Sequence, residues 1–410
     1  MRKNYDGLDV LRGIGIFGVV LMHTAFYHFD GVWKINFAHP PIVITLIGFL
    51  LMFAGLFAMV SGFAHTARYE ERLAKGQRPR RALASRVVPG VFILATAYLY
   101  FIFTGPGVVH FESQTFDNSI LVELVRTGRF PGFSPERLLY IDSLVMIGAN
   151  TILVGLFLTL LRAVRCEGAR RWIALGGAVA VLLVSLLRIP LYETYLNAAQ
   201  NGNRLLVYGL NWLVNKNNPL LPYAAFALFG AWLGLEFERD EKRALRRAAC
   251  VGVLLFAAGL ALYTLLPDTM LERAIDSQWY AIMVLQTGLF MLFLCLALWL
   301  FDVRQTLATK RPSRVTRFFR RLGVASLSVY FVESVVSALV FRGVRAAWPN
   351  FRMGMYEAVA AGLLFAVAWG LVLIAWEKTG YRFGLERLYC RAMRQVGGSA
   401  KEEKLRPTGR

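Results

Sequence analysis

The run LDVLRGIGIFGVVLMHTAFYHF near the amino terminus places Asp9, Arg12 and His23 inside an otherwise apolar stretch. Ionisable side chains at membrane depth are costly and mark function by default. Arg12 and His23 are eleven residues apart. At about 100° per residue this is three turns and roughly 20° more, so both project from one face of a helix, about 16 Å apart along its axis. Asp9 lies one turn before Arg12, where the two can pair. A neutral histidine is the usual base for activating a hydroxyl or an amine. An anion held at Arg12 could therefore reach a base at His23 through an extended arm. Coenzyme A has that shape, with a polyanionic head and a long thin pantetheine arm. The plainer reading is a snorkelling arginine and a histidine bonded within a bundle.

Other residues could join this chemistry. All five histidines, His23, His28, His39, His65 and His110, fall in the first 110 residues. A basic segment, SGFAHTARYEERLAKGQRPRRALASRVVPG, brings Arg80, Arg81 and Arg86, and arginine clusters suit phosphate. Two carboxylates, Asp142 and Glu333, lie inside apolar runs and each needs a partner there. Either one could orient His23 by accepting from its second ring nitrogen. The four cysteines, Cys166, Cys250, Cys295 and Cys390, have no C-x-x-C spacing and read as structural, which gives no support to a metal or redox site.

The elements that must position these residues are membrane spans. Of 410 residues, 57% are apolar or aromatic and only 18% are charged, and the apolar ones fall in long runs between short basic loops. Ten spans are predicted, at 8–29, 41–67, 88–105, 138–161, 172–189, 219–237, 248–266, 279–302, 322–341 and 355–377. The fold class is an all-α polytopic transmembrane helix bundle, with 1–377 as the membrane domain and 378–410 as a basic cytoplasmic tail. The end of that tail, GGSAKEEKLRPTGR, has a disordered composition. With the amino terminus inside, the cytoplasmic segments hold 34 Lys and Arg and the outer loops 9. That bias predicts cytoplasmic termini. Arg12, Arg188 and Arg342 fall at span edges. The first span lacks a small-x-small cleavage site and carries charges, so it reads as a mature span and not a signal peptide. The net charge of +20 lies in these loops, with no basic domain to hold nucleic acid. Ala58 and Gly62, and then Gly230 and Gly234, have the spacing that lets membrane helices approach closely.

These residues resemble the transmembrane acyltransferase superfamily, which includes acyltransferase-3 O-acyltransferases and heparan-alpha-glucosaminide N-acetyltransferase-like proteins. The first span matches Asp-x-x-Arg-Gly followed by His, here Asp9, Arg12, Gly13 and His23. FAMVSGFAHTARY is similar to a second-span Ser-Gly element. NNPLLPYAAFALFGAWLG and LGVASLSVYFVES resemble two later motifs. Leu83 stands where a further arginine is usual. The resemblance implies acyl-CoA, with acetyl-CoA the first choice, entering from the cytoplasm as donor substrate. It also implies a saccharide or glycolipid acceptor on the far side. His23 would be catalytic, with His28 or His39 as alternatives, and Arg12, Asp9, Arg80, Arg81 and Arg86 would serve the donor. A bacterial inner membrane is the expected location. The rival class is a transporter or flippase for an anionic lipid or glycan, and a non-catalytic partner in glycan synthesis is a third. Acceptor identity, O- or N-transfer, acyl length and oligomeric state stay open.

Overall fold

The computed structural model describes residues 5–397, apart from 37–38, 111–112, 133–134, 216, 267–274 and 305–311. Ten helical stretches among them are long and apolar enough to cross a membrane. The protein is an integral membrane protein of the all-α class, as its apolar runs predicted. The helices are α1 (Asp6–His28), α2 (Ile42–Leu51), α3 (Ala54–Ala74), α4 (Pro79–Leu99), α5 (Ile120–Thr127) and α6 (Ser143–Leu161). They continue with α7 (Glu167–Val184), α8 (Arg188–Gln200), α9 (Arg204–Val214), α10 (Leu220–Phe237), α11 (Glu241–Leu265) and α12 (Ser277–Leu298). The last four are α13 (Arg314–Val324), α14 (Ser326–Ala347), α15 (Met355–Lys378) and α16 (Leu385–Gly397). One small antiparallel hairpin pairs Val108–His110 with Thr115–Asp117.

Backbone groups inside hydrocarbon have no water to bond, so helix ends must find partners in the protein. The start of α1 is closed from afar. Asp302 accepts from Asp6 N at 2.7 Å and Gly7 N at 2.9 Å. The first turn of α14 is closed by Glu386 of α16, which accepts from Ser328 N at 2.8 Å.

Small residues set the closest crossings. A Cβ on Gly230 of α10 would stand 2.0 Å from the Met59 carbonyl oxygen of α3, and one on Gly62 would stand 1.9 Å from that of Ala227. The Gly13–Gly323 crossing matters more for the site. A Cβ on Gly13 would stand 1.8 Å from the Phe319 oxygen, and one on Gly323 would stand 1.8 Å from the Asp9 oxygen. The glycine after Arg12 therefore lets α13 press against the charged end of α1. Gly323→Val is expected to lower the melting temperature sharply, because overpacking costs about 1–3 kcal/mol even where side chains can yield and here backbone blocks them. Gly48→Ala, which meets nothing within 4 Å, should melt as wild type. Equal melting of the two variants in detergent would contradict this crossing.

Several boundaries differ from expectation. The second span is broken between Leu51 and Ala54. The fifth extends beyond the expected 172–189: helix runs from Glu167 to Gln200 through a tight turn at Ser185–Leu187. Arg188 is consequently not at an edge but fully buried, stacked 4.3 Å over Trp279 and donating to the carbonyls of Val214 and Asn215. The ninth span begins at Ser326 and not at 322, because the stretch before it is a separate amphipathic helix, α13. Within the expected tail, α16 packs on α4 and α14. Apart from Gly397, GGSAKEEKLRPTGR lies outside the described residues.

Candidate active site

Two clusters sit at opposite ends of α1. The first is built where α1 meets α14. His23 Nδ1 lies 2.6 Å from Glu333 Oε1, with Glu333 fully buried and His23 13% exposed. Ser334 donates to the same carboxylate oxygen at 2.5 Å. A carboxylate only accepts, so Nδ1 carries the proton and Nε2 keeps its lone pair. Nε2 has no hydrogen-bond partner among the described residues. His23 lines a small open cleft together with His28, Glu333, Ser334, Ser337 and Arg126.

Asp142 was a candidate to orient His23, and the structure gives it other partners. It caps α6 by accepting from Leu144 N at 2.8 Å and Val145 N at 3.1 Å, so it lies before the helix and not one turn inside a span. Its other oxygen accepts from the Tyr330 hydroxyl at 3.0 Å. Tyr330 packs on Tyr100 and its ring centroid is 6.1 Å from that of His23. Asp142 thus reaches the histidine through Tyr330, and Glu333 reaches it directly.

His28, one turn and a half further along α1, bonds Ser337 at 2.9 Å and stacks on Phe341. Its partner is a hydroxyl, which cannot balance an imidazolium charge as a carboxylate can. His39 is exposed in the loop after α1, and His110 is exposed in the hairpin.

The second cluster lies around the start of α1. Arg12 pairs with Asp9 at 3.3 Å, both about a quarter exposed. His65, Arg68 and Arg86 share its electrostatic neighbourhood. His65 itself is locked: Arg86 Nη1 donates to Nδ1 at 2.8 Å, and Nε2 meets Thr151 Oγ1 at 3.1 Å. An arginine can only donate, so Nδ1 is the acceptor and Nε2 carries the proton. With both nitrogens engaged, His65 holds Arg86 in place and is not a free base.

The structure therefore brings Arg12, Asp9 and Arg86 together at one end and His23 with Glu333 at the other. Arg80 and Arg81 are exposed at the start of α4, with no side-chain partner among the described residues. Sequence reasoning missed Arg68 and the bracing role of His65. Their i,i+3 spacing at the polar end of an apolar helix was the available signal. Tyr330, which links Asp142 to His23, was also not among the expected site residues. Arg126, which lines the cleft, was not among the expected site residues.

A polytopic bundle that buries a histidine–carboxylate pair beside a cleft has the parts of a membrane-embedded transferase. The chain matches the family model of the acyltransferase domain, acyltransferase-3, over residues 5–376, and it belongs to that family. It is a membrane acyltransferase. Comparison with curated proteins returns no match. The resemblance carried by short separated motifs thus extends across almost the entire chain, and it settles the choice between a transferase and a transporter.

Proposed function

We propose that the protein transfers an acyl group, acetyl first among them, from acyl-CoA to a hydroxyl or amine of an extracytoplasmic saccharide or glycolipid. The observation that carries this reading is the 2.6 Å His23–Glu333 contact, made by Nδ1 of a histidine that lines a cleft. His23 removes the acceptor's proton as its oxygen or nitrogen attacks the thioester carbonyl. The bond to sulfur then breaks, and His23 returns the proton to the leaving thiolate. Glu333 holds the imidazole in the tautomer with Nδ1 protonated and offsets the positive charge that His23 gains.

The donor end fits a polyanion. Arg12, Arg68, Arg72 and Arg86 lie near one another there, while Asp9 is paired with Arg12, Glu70 with Arg162 at 2.6 Å and Glu71 with Lys75. The cationic excess suits phosphates. Exposed Arg80 and Arg81 would act on the approaching donor by long-range attraction alone. The cytoplasmic placement of this end rests on the loop charge bias, and a bacterial inner membrane remains the proposed location.

Isothermal titration of acetyl-CoA into the detergent-purified protein tests the donor site. Binding in the micromolar range is expected, weakened about tenfold by Arg12→Ala, since a charge-assisted contact contributes about 1.5–3 kcal/mol. Absence of heat from correctly folded wild type would remove acyl-CoA as donor.

A further inference from the structure

We propose that the acceptor carries an anionic group, a carboxylate or a phosphate, and that Arg126 binds it at the mouth of the cleft beside His23. This rests on the acyltransferase reading above and names the class of acceptor.

Charge at this end of the bundle is unbalanced. Arg126 of α5 lines the cleft, and Arg342 and Arg345 of α14 and Arg352 in the turn after it belong to the same end of the bundle. Arg342 is engaged with the Val125 carbonyl at 2.7 Å. Arg345 and Arg352 share Asp30 at 3.8 and 3.6 Å, and Asp30 also accepts from Met353 N at 2.7 Å. Glu123 accepts from Asn118 Nδ2 at 2.7 Å, and Glu333 is engaged by His23 and Ser334. The Arg126 side chain is left with no hydrogen bond or ion pair among the described residues. Its guanidinium lies 5.5 Å over the Phe116 ring, which itself packs on Tyr27 and Trp33. Burial, and then nearby Arg345, hold this guanidinium below its ordinary value. Glu123, one turn earlier on α5, offsets this only in part.

The cleft supplies the rest of a binding site. Arg126 lines it together with His23 and His28. Two deeply buried polar atoms on its walls have no partner among the described residues: Glu333 Oε2 and His28 Nδ1. Buried polar groups are normally satisfied, so hydroxyls of a ligand are the natural complement. Tyr27 lines the cleft, with Phe116 and then Trp33 packed behind it, and an aromatic ring next to an arginine fork matches a sugar bearing an acidic substituent. Bound there by its charge, the acceptor presents a neighbouring hydroxyl or amine to His23 Nε2.

The test is titration of glucuronate, glucose 1-phosphate and glucose into the detergent-purified full-length chain, in wild type, Arg126→Gln and Arg126→Lys. At least one anion should bind about tenfold or more tightly than glucose in wild type. The carboxylate and phosphate arms identify which group is preferred. Arg126→Gln should abolish the difference, and Arg126→Lys should retain part of it. Equal affinity for charged and neutral sugars overturns the proposal. So does a preference that survives Arg126→Gln, or no anion binding by protein of normal melting temperature. Titrating acetyl-CoA into the same samples keeps the two readings apart. A chain that binds donor but ignores sugar charge retains the acyl-CoA reading and loses this one. Selective anion binding without donor binding does the reverse.

Discussion

His23→Gln lowers turnover by about 10³-fold while leaving donor binding and melting temperature close to wild type. A positioned base contributes roughly 10²–10⁴ to the rate. Glutamine keeps a neutral polar side chain of similar length in the space of the ring. What it lacks is a lone pair basic enough to take a proton. Among the described residues no second histidine bonds a carboxylate: His28 faces Ser337, and His65 is held between Arg86 and Thr151. The measurement is release of free thiol from acetyl-CoA with and without acceptor, beside donor titration on the same sample. Retention of a tenth of wild-type turnover would move the base elsewhere, and His28 would be tested next.

Glu333→Gln comes second, with an expected loss of about 10²-fold or more in kcat, as when a carboxylate behind a catalytic histidine becomes an amide. An amide offers its oxygen or its nitrogen to Nδ1, so the productive tautomer is no longer enforced. It also gives no counter-charge to the imidazolium formed during transfer, in a site where water does little screening. Glu333 does not touch the donor cluster, so acetyl-CoA affinity should hold while kcat falls. Glu333→Asp, which keeps the charge at a longer reach, should recover part of the loss. If kcat and melting temperature both match wild type, the His23–Glu333 bond is only a link between α1 and α14.

Much of this arrangement was legible in the sequence because hydrocarbon imposes strict rules. Length and apolarity located ten spans, and the 3.6-residue period placed Arg12 and His23 on one face. Two things were not legible. Which carboxylate faces His23 depends on how α14 packs on α1, and the sequence offered both Asp142 and Glu333. The Tyr330–Asp142 bond joins α14 to the start of α6, a relation between distant segments that no local period encodes. The arginines posed a different problem. Arg80, Arg81 and Arg86 look alike in a basic loop, yet Arg86 turns inward because His65 and Thr151 give it a buried acceptor, and the other two stay outside. Arg188 followed the same logic in reverse. The predicted span boundary put it at an edge, but two carbonyls and the Trp279 face hold it inside.

Helix α1 runs without a break from Asp6 to His28 and carries Arg12 at one end and His23 near the other. A rigid rod of fixed rise per residue acts as a gauge. On the acyl-CoA reading, a donor shortened within its pantetheine portion would still dock by its phosphates, yet its carbonyl would stop short of His23. Donor choice would then be a matter of length as much as of charge, measured off along the first helix of the chain.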